Sequence, residues 1–382
     1  MTTRPDAADH EDVGRRASAL TSYRIVAGLA VASFVLITTI KLAEPLAETE
    51  YVHRLVSYDL GLIRRGLVGE AYSSLTNAVH PVVVKAEGLV AVLVAGALFA
   101  AVFLRAFPVA SLERLAAACF IFGSPLLFKN FVGNIAKLDV YGAIVASIAV
   151  FIPLSSLGIL VISALSGILL LTHHIHATLY LPTIGAIVLV RAVAGGKSPG
   201  WRFILVATLC VALLVAEFLF LMFKAVPAVP REEFLAGLRF RSLQPLTDYA
   251  SHMWYSTLAD EINDTKSFLP AHLVRLPIYV ALIMLHWPIY RLLAARGRLA
   301  MQHGRHLPKA SLVSAVAVVC CYAITFVVTY DYARYLGNIA FCLTLLWLAV
   351  MIAAPDEQPG LVDQQISGRA AICCAAVLAA IP

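Results

Sequence analysis

FILVATLCVALLVAEFLFLMF, residues 203–223, decides the fold. A run of this length matches the ~20 residues that a helix needs to cross the ~30 Å hydrocarbon core of a bilayer. Outward from it, similar runs lie near 24–43, 82–104, 113–128, 139–154, 157–172, 177–192, 271–290, 311–329 and 337–354. A further run, 369–382, is too short to read as a complete span. The pair 139–154 and 157–172 is also short, and joined by the tight turn PLSSLG. Of the 382 residues, 60% are hydrophobic and 14% charged, against about 25% charged in soluble domains. The chain reads as an all-α, polytopic transmembrane bundle of about 10–11 spans. Residues 1–23 form a polar N-terminal tail and 24–382 a single bundle, since a helical membrane protein of this size is built by lateral packing. The seven cysteines fall inside apolar runs without metal-ligand spacing, and read as small buried residues.

Charge sets the orientation. The stretch 291–309 holds five Lys/Arg and no acid, and 191–202 holds three and no acid. By the positive-inside rule both are cytoplasmic, as is the N-terminus. The loops 44–81, 129–138, 173–176, 224–270 and 330–336 then share the opposite, exoplasmic face. Those loops carry nearly every polar cluster, and an amphipathic stretch around Leu246–Leu258 is expected to lie on the membrane surface. Trp254 and Tyr255 in it could stack on sugar rings.

The first loop contains SYDLGLIRRGLVGE, 57–70. Arginine on an exoplasmic loop runs against the topological bias, and a guanidinium suits a phosphate at the lipid boundary. Arg64 and Arg65 are therefore candidate phosphate ligands; pairing with Asp59 and Glu70 is the alternative. Gly61, Gly66 and Gly69 permit tight turns or close approach of the backbone to a ligand. In FKNFVGNIAKLDVYG, 128–142, Lys137 and Asp139 lie where a helix enters the membrane. THHIHATLYLP, 172–182, adds His173, His174 and His176, whose spacing is no recognised zinc signature. In TYDYARYLGN, 329–338, Asp331 and Arg334 are three apart and share one helical face, with Tyr332 and Tyr335 beside them. Lys85 and Glu87 are the nearest thing to intramembrane charge.

This pattern resembles the GT-C superfamily of polytopic glycosyltransferases, which take sugars from polyprenyl phosphates and place a catalytic acid in the first exoplasmic loop. The resemblance covers roughly 24–354 as architecture. It implies an enzyme of the inner cell membrane that moves a sugar from a polyprenyl-phosphate donor to an exoplasmic glycan or lipid acceptor, with membrane lipid as surroundings and no nucleic acid. In it Asp59 would be the catalytic base, and Arg64, Arg65, Lys137, Asp139, His173, His176, Arg334 and Tyr332 would bind substrate or its phosphate. A divalent cation stays open, because the adjacent diacid motif of several GT-C families is missing. Two other readings stand beside it. A polysaccharide polymerase or ligase acting on lipid-pyrophosphate glycans would carry similar arginines. A transporter or flippase would instead place ionisable residues near the bilayer midplane, often with repeat symmetry.

Overall fold

A computed structural model describes residues 6–195, 200–302, 306–353, 366 and 368–381. Among them the chain is helical, with no strand beyond one isolated bridge between Val79 and Ser242. The helices are α1 (Asp6–Ala43), α2 (Glu48–Tyr51), α3 (Leu67–Ser73), α4 (Pro81–Ala106), α5 (Leu112–Gly123), α6 (Phe128–Gly133), α7 (Asp139–Ala149), α8 (Ser156–Thr172) and α9 (His176–Leu179). They continue with α10 (Leu181–Ala194), α11 (Trp201–Phe223), α12 (Arg231–Arg241), α13 (His252–Tyr255), α14 (Leu258–Leu285), α15 (Trp287–Gln302), α16 (Leu307–Val328), α17 (Tyr332–Ala353) and α18 (Arg369–Ala380).

Eight helical segments among the described residues are long and apolar enough to cross a membrane: α1 from Gly14, α4, α5 with α6, α9 with α10, α11, α14, α16 and α17. This is a multi-pass helical bundle. At 1.5 Å per residue α7 is only about 16 Å long and α8 about 26 Å, so the pair is short, as its tight turn implies. A helix the length of α7 cannot reach both membrane boundaries. Its N-terminal residue, Asp139, is 3% exposed and lines a cavity of the bundle.

The main core runs through α1, α4, α5, α7, α10, α16 and α17, with Phe99, Phe120, Tyr180, Tyr322 and Phe341 fully buried in it. Close helix approach depends on small residues. A Cβ on Gly142 of α7 would stand 2.1 Å from the Tyr180 ring, and one on Gly88 of α4 would stand 2.5 Å from the Ala136 backbone. On the outside lie α11, where only Cys210 and Leu221 are buried, and α14, where only Thr265 and His272 are. α11 packs on α8, whereas α14 packs on α16.

Several boundaries differ from the sequence reading. α1 begins within the 1–23 stretch, and Tyr23 is buried with its hydroxyl donating to the Ile366 carbonyl at 2.9 Å. α14 starts at Leu258 instead of 271, fixed by a capping box in which Thr257 and Asp260 satisfy each other's backbone amides. Its first turns are polar, which is why the sequence alone places them in a loop. The basic stretch 291–309 is largely the amphipathic helix α15. Of the seven cysteines, all free, Cys320 and Cys373 are exposed instead of buried. The run 369–382 forms α18, about 18 Å long, docked on α1 and α5. Buried Lys129 receives its C-terminal end, donating to Ser33 Oγ (2.8 Å) and to the carbonyls of Ala379 (2.8 Å) and Ile381 (2.6 Å). A cation at a helix C-terminus meets the negative end of the dipole.

Candidate functional site

The first loop and the 224–257 connection fold together into a cap with its own apolar core: Tyr51, Val52, Leu55, Val56, Ile63, Phe234, Leu238 and Trp254 are all buried there. The glycines of the first loop serve this packing, and protein atoms, not a ligand, approach them. Gly61 has φ +114°, and a Cβ there would stand 2.7 Å from the Ala228 amide. One on Gly69 would overlap the Val56 carbonyl at 1.7 Å. Arg54, with no exposed surface, anchors the cap to the bundle. Its guanidinium makes a bidentate pair with Glu87 of α4 (3.0 and 3.1 Å) and donates to the carbonyls of Glu50 (3.0 Å) and Ala136 (2.7 Å).

Beneath the cap lies a cavity of about 480 Å³, lined from all five connections that the sequence assigns to one face. Its polar wall is a chain of ions. Lys137 Nζ is 2.9 Å from Asp331 and 3.7 Å from Glu50; Arg334 is 3.4 Å from Asp331 and 3.0 Å from Asp139. Asn338 donates to Asp139 at 2.8 Å, and the Arg334 guanidinium lies 4.5 Å over the Tyr335 ring. Burial would raise the Asp331 carboxyl, but Arg334 and Lys137 outweigh it and hold it below the usual range.

Arg65 faces this wall differently. Its backbone takes φ +65°, a left-handed conformation that non-glycine residues rarely adopt, with Trp254 Nε1 donating to the neighbouring Arg64 carbonyl at 2.9 Å. The side chain enters the cavity, where its one protein contact among the described residues is Met253 Sδ at 3.2 Å; its Nε is buried without a partner. No carboxylate of the described residues stands within ion-pair distance of it. Burial, then Arg64, brings its guanidinium down to about 10 against the opposing pull of Glu261, so it stays charged at neutral pH. Around it are His53, His173 and His174, with ring centroids 5.9 Å apart for His53–His173 and 5.4 Å for His173–His174. All three are held well below the ordinary histidine range by burial first and by Arg65 next.

The opposite wall is apolar: Phe218 and Met222 of α11 face Ile324 and Val328 of α16. Ile324 is 57% exposed and Leu258 53% exposed, yet both line the cavity. The cavity is therefore open to the outside beside this apolar wall.

Of the residues singled out by sequence, Arg65, Lys137, Asp139, His173 and Arg334 line the cavity. Four do not. Asp59 is exposed on the cap, where its carboxylate accepts from Ser57 Oγ at 3.1 Å. Arg64 is a staple, donating to the carbonyls of Met253 (2.8 Å) and Ser256 (3.1 Å). His176 is buried behind His173, and Tyr332 stacks on His272 of α14 at 4.3 Å. Trp254 belongs to the cap core and is 3% exposed, so its ring presents no sugar-stacking surface. The sequence reading passed over Glu50, His53, Glu261 and Asp264, which line the cavity. Glu50 and His53 are three apart, as are Glu261 and Asp264, and that spacing puts each pair on one helical face. Glu217 is a further ionisable side chain on an apolar helix, α11, set against α8: a Cβ on Gly167 would come within 3.0 Å of its carboxylate.

Among the described residues no cluster of three or more His, Cys, Asp or Glu has metal-binding geometry. Comparison with protein-family models, with characterised proteins and with solved structures finds no match to this chain.

Proposed function

We propose that the protein is a membrane glycosyltransferase that takes its sugar from a polyprenyl-phosphate donor and passes it to a glycan or lipid acceptor at the exoplasmic face of the cell membrane. The observation that carries this reading is the cavity's two-sided chemistry. The apolar side chains of α11 and α16 offer a wall for a hydrocarbon chain, and Arg65, with no carboxylate of the described residues in ion-pair distance, offers a guanidinium to an anion. Strained backbone of this kind concentrates at ligand sites.

The roles follow from what each group has left to offer. Arg65 holds the donor phosphate and stabilises it as it leaves. Lys137 and Arg334 are already balanced by carboxylates, so they shape the polar wall instead of supplying net charge. One cation without a directly paired carboxylate suits a singly charged phosphodiester better than a pyrophosphate, which favours a monophosphate donor over the polymerase or ligase reading. A general base must keep a lone pair free within reach of the acceptor hydroxyl. Asp139 is engaged by Arg334 and Asn338, and Asp331 by two cations. Glu50 is 7% exposed, accepts from Thr49 Oγ1 at 2.9 Å, and keeps Lys137 no closer than 3.7 Å. We assign it the base role that the sequence alone gave to Asp59.

The test is purified protein in lipid nanodiscs with a radiolabelled polyprenyl-phosphate sugar and a panel of acceptors. Transfer with release of polyprenyl phosphate is expected. Failure to bind any such lipid, together with solute movement by the protein in sealed liposomes, would overturn the reading. Replacing Arg65 with alanine should weaken donor binding by about 1.5–3 kcal/mol, the range for hydrogen bonds to a charged group. Lysine should restore only part of this, having lost the fork geometry. Arg64→Ala should instead lower thermal stability, since its partners are backbone carbonyls of the cap. Equal donor affinity in wild type and Arg65→Ala would remove Arg65 from the site.

A further inference from the structure

We infer that the Arg65 subsite is a proton-coupled phosphate site, in which an arriving phosphate group is accompanied by a proton that settles on His174. This deepens the reading above, since it takes a phosphate group as the cavity's ligand.

The geometry comes first. His53, His173 and His174 line the same cavity as Arg65 and come from two separate parts of the chain, the turn after α2 and the junction between α8 and α9, their rings in mutual contact. Each is less than a tenth exposed. His173 Nδ1 already accepts from the Ile175 amide at 3.3 Å, whereas His53 Nδ1 and His174 Nδ1 are buried without partners, as is Arg65 Nε. Ser256 Oγ, from the far side of the cavity, is also buried and unpartnered. Four polar atoms left unsatisfied around one space are costly unless a ligand meets them. They include a cationic N–H, a hydroxyl and two imidazoles, which together match phosphate oxygens.

The charges then decide the protonation. His174 faces Arg65, Arg64, His176 and His53; His53 faces Arg65, Arg54 and Arg334; His173 faces Arg65 and the other three histidines. Arg54 and Arg334 are matched by Glu87, Asp139 and Asp331. With the site empty, burial and Arg65 keep all three rings neutral. A phosphate bound to Arg65 cancels that repulsion and adds an opposite charge within hydrogen-bond range, so a neighbouring imidazole's proton affinity rises. His174 responds most, because His173 Nδ1 is already engaged, Arg54 and Arg334 still press on His53, and His174 Nδ1 is free to take the proton. The sign follows: the loaded state binds more protons than the empty one, so affinity is full below the empty-state pKa of His174, falls by up to tenfold per pH unit for one proton as pH rises toward the loaded-state pKa, and levels off above it.

Isothermal titration calorimetry on the full-length protein in nanodiscs measures this directly. Wild type is titrated with inorganic phosphate and, separately, with a short-chain prenyl phosphate, each at several pH values in buffers of different ionisation enthalpy. Uptake of about one proton per phosphate bound, with affinity falling at higher pH, is the expected result for whichever probe binds; the better probe tells whether lipid or free phosphate is the natural source. His174→Gln should still bind phosphate but without proton uptake or pH dependence. Binding with no proton exchange in wild type would overturn the inference while leaving the donor reading intact. Proton-coupled binding without any sugar transfer would do the reverse. Failure of both probes to bind would also overturn it, the transfer assay then deciding the proposed function separately.

Discussion

Replacing Glu50 with glutamine is expected to slow sugar transfer by about 10²–10⁴-fold, the usual contribution of a positioned general base, while donor affinity stays near that of wild type. Glutamine keeps the shape and still accepts from Thr49, so the cap should fold around it. What it loses is basicity, and its amide N–H would face Lys137 where a carboxylate stood. Asp59→Asn is the matched control. The exposed Asp59 lies outside the cavity, where it accepts from Ser57 and neighbours the Arg241 charge of the cap, so transfer by that variant should remain near normal. Single-turnover rates with preloaded donor separate the chemical step from binding. Normal rates in Glu50→Gln, or a collapse in Asp59→Asn alone, would return the base role to the residue that the resemblance favours.

The exchange of Asp59 for Glu50 marks where sequence stops being informative. The long apolar helices were legible because a bilayer imposes length and composition on any span. One-sided chemistry was legible too: Lys137, Asp139, His173 and Arg334 stand at helix ends that parity puts on one face, and they do meet there. Within a loop no such rule operates. Asp59, Arg64 and Arg65 lie within seven residues, yet they point three ways. The left-handed turn at Arg65 sends its side chain into the cavity, the cap's carbonyls hold Arg64 beneath it, and Asp59 stays outside. Only the packing of 224–257 against the first loop decides this, through contacts such as Ala228 on Gly61 and Trp254 on Arg64. The polar start of α14 misled for a related reason. Asp260, Glu261 and Asp264 read as loop, but a capping box starts a helix there, and one face of it borders a polar cavity instead of lipid.

Arg54 should be the most costly residue of the cap to remove. It is fully buried, and four of its five donor hydrogens go to Glu87, the Glu50 carbonyl and the Ala136 carbonyl. Arg54→Met preserves much of the volume but leaves Glu87 facing Met, with two tyrosine hydroxyls, Tyr72 and Tyr141, as its remaining partners. Breaking a buried pair this way costs about 3–5 kcal/mol. The lower end is expected, because the Glu87 side chain keeps 23% of its surface exposed and can be partly rehydrated. The loss should extend to function. Arg54 ties α2, which carries Glu50, to the loop before Asp139 through the Ala136 carbonyl, so its removal loosens both sides of the cavity at once. A double-mutant cycle distinguishes pairing from packing: Glu87→Leu alone should also destabilise by stranding Arg54, whereas Arg54→Met with Glu87→Leu should recover much of the stability, since a matched apolar replacement of a buried ion pair is often neutral. Thermal unfolding in detergent reports the stability arm, and donor binding reports the cavity. If stability recovers in the double variant but binding does not, Arg54 positions the cavity as well as fastening the cap; recovery of both would confine it to fastening.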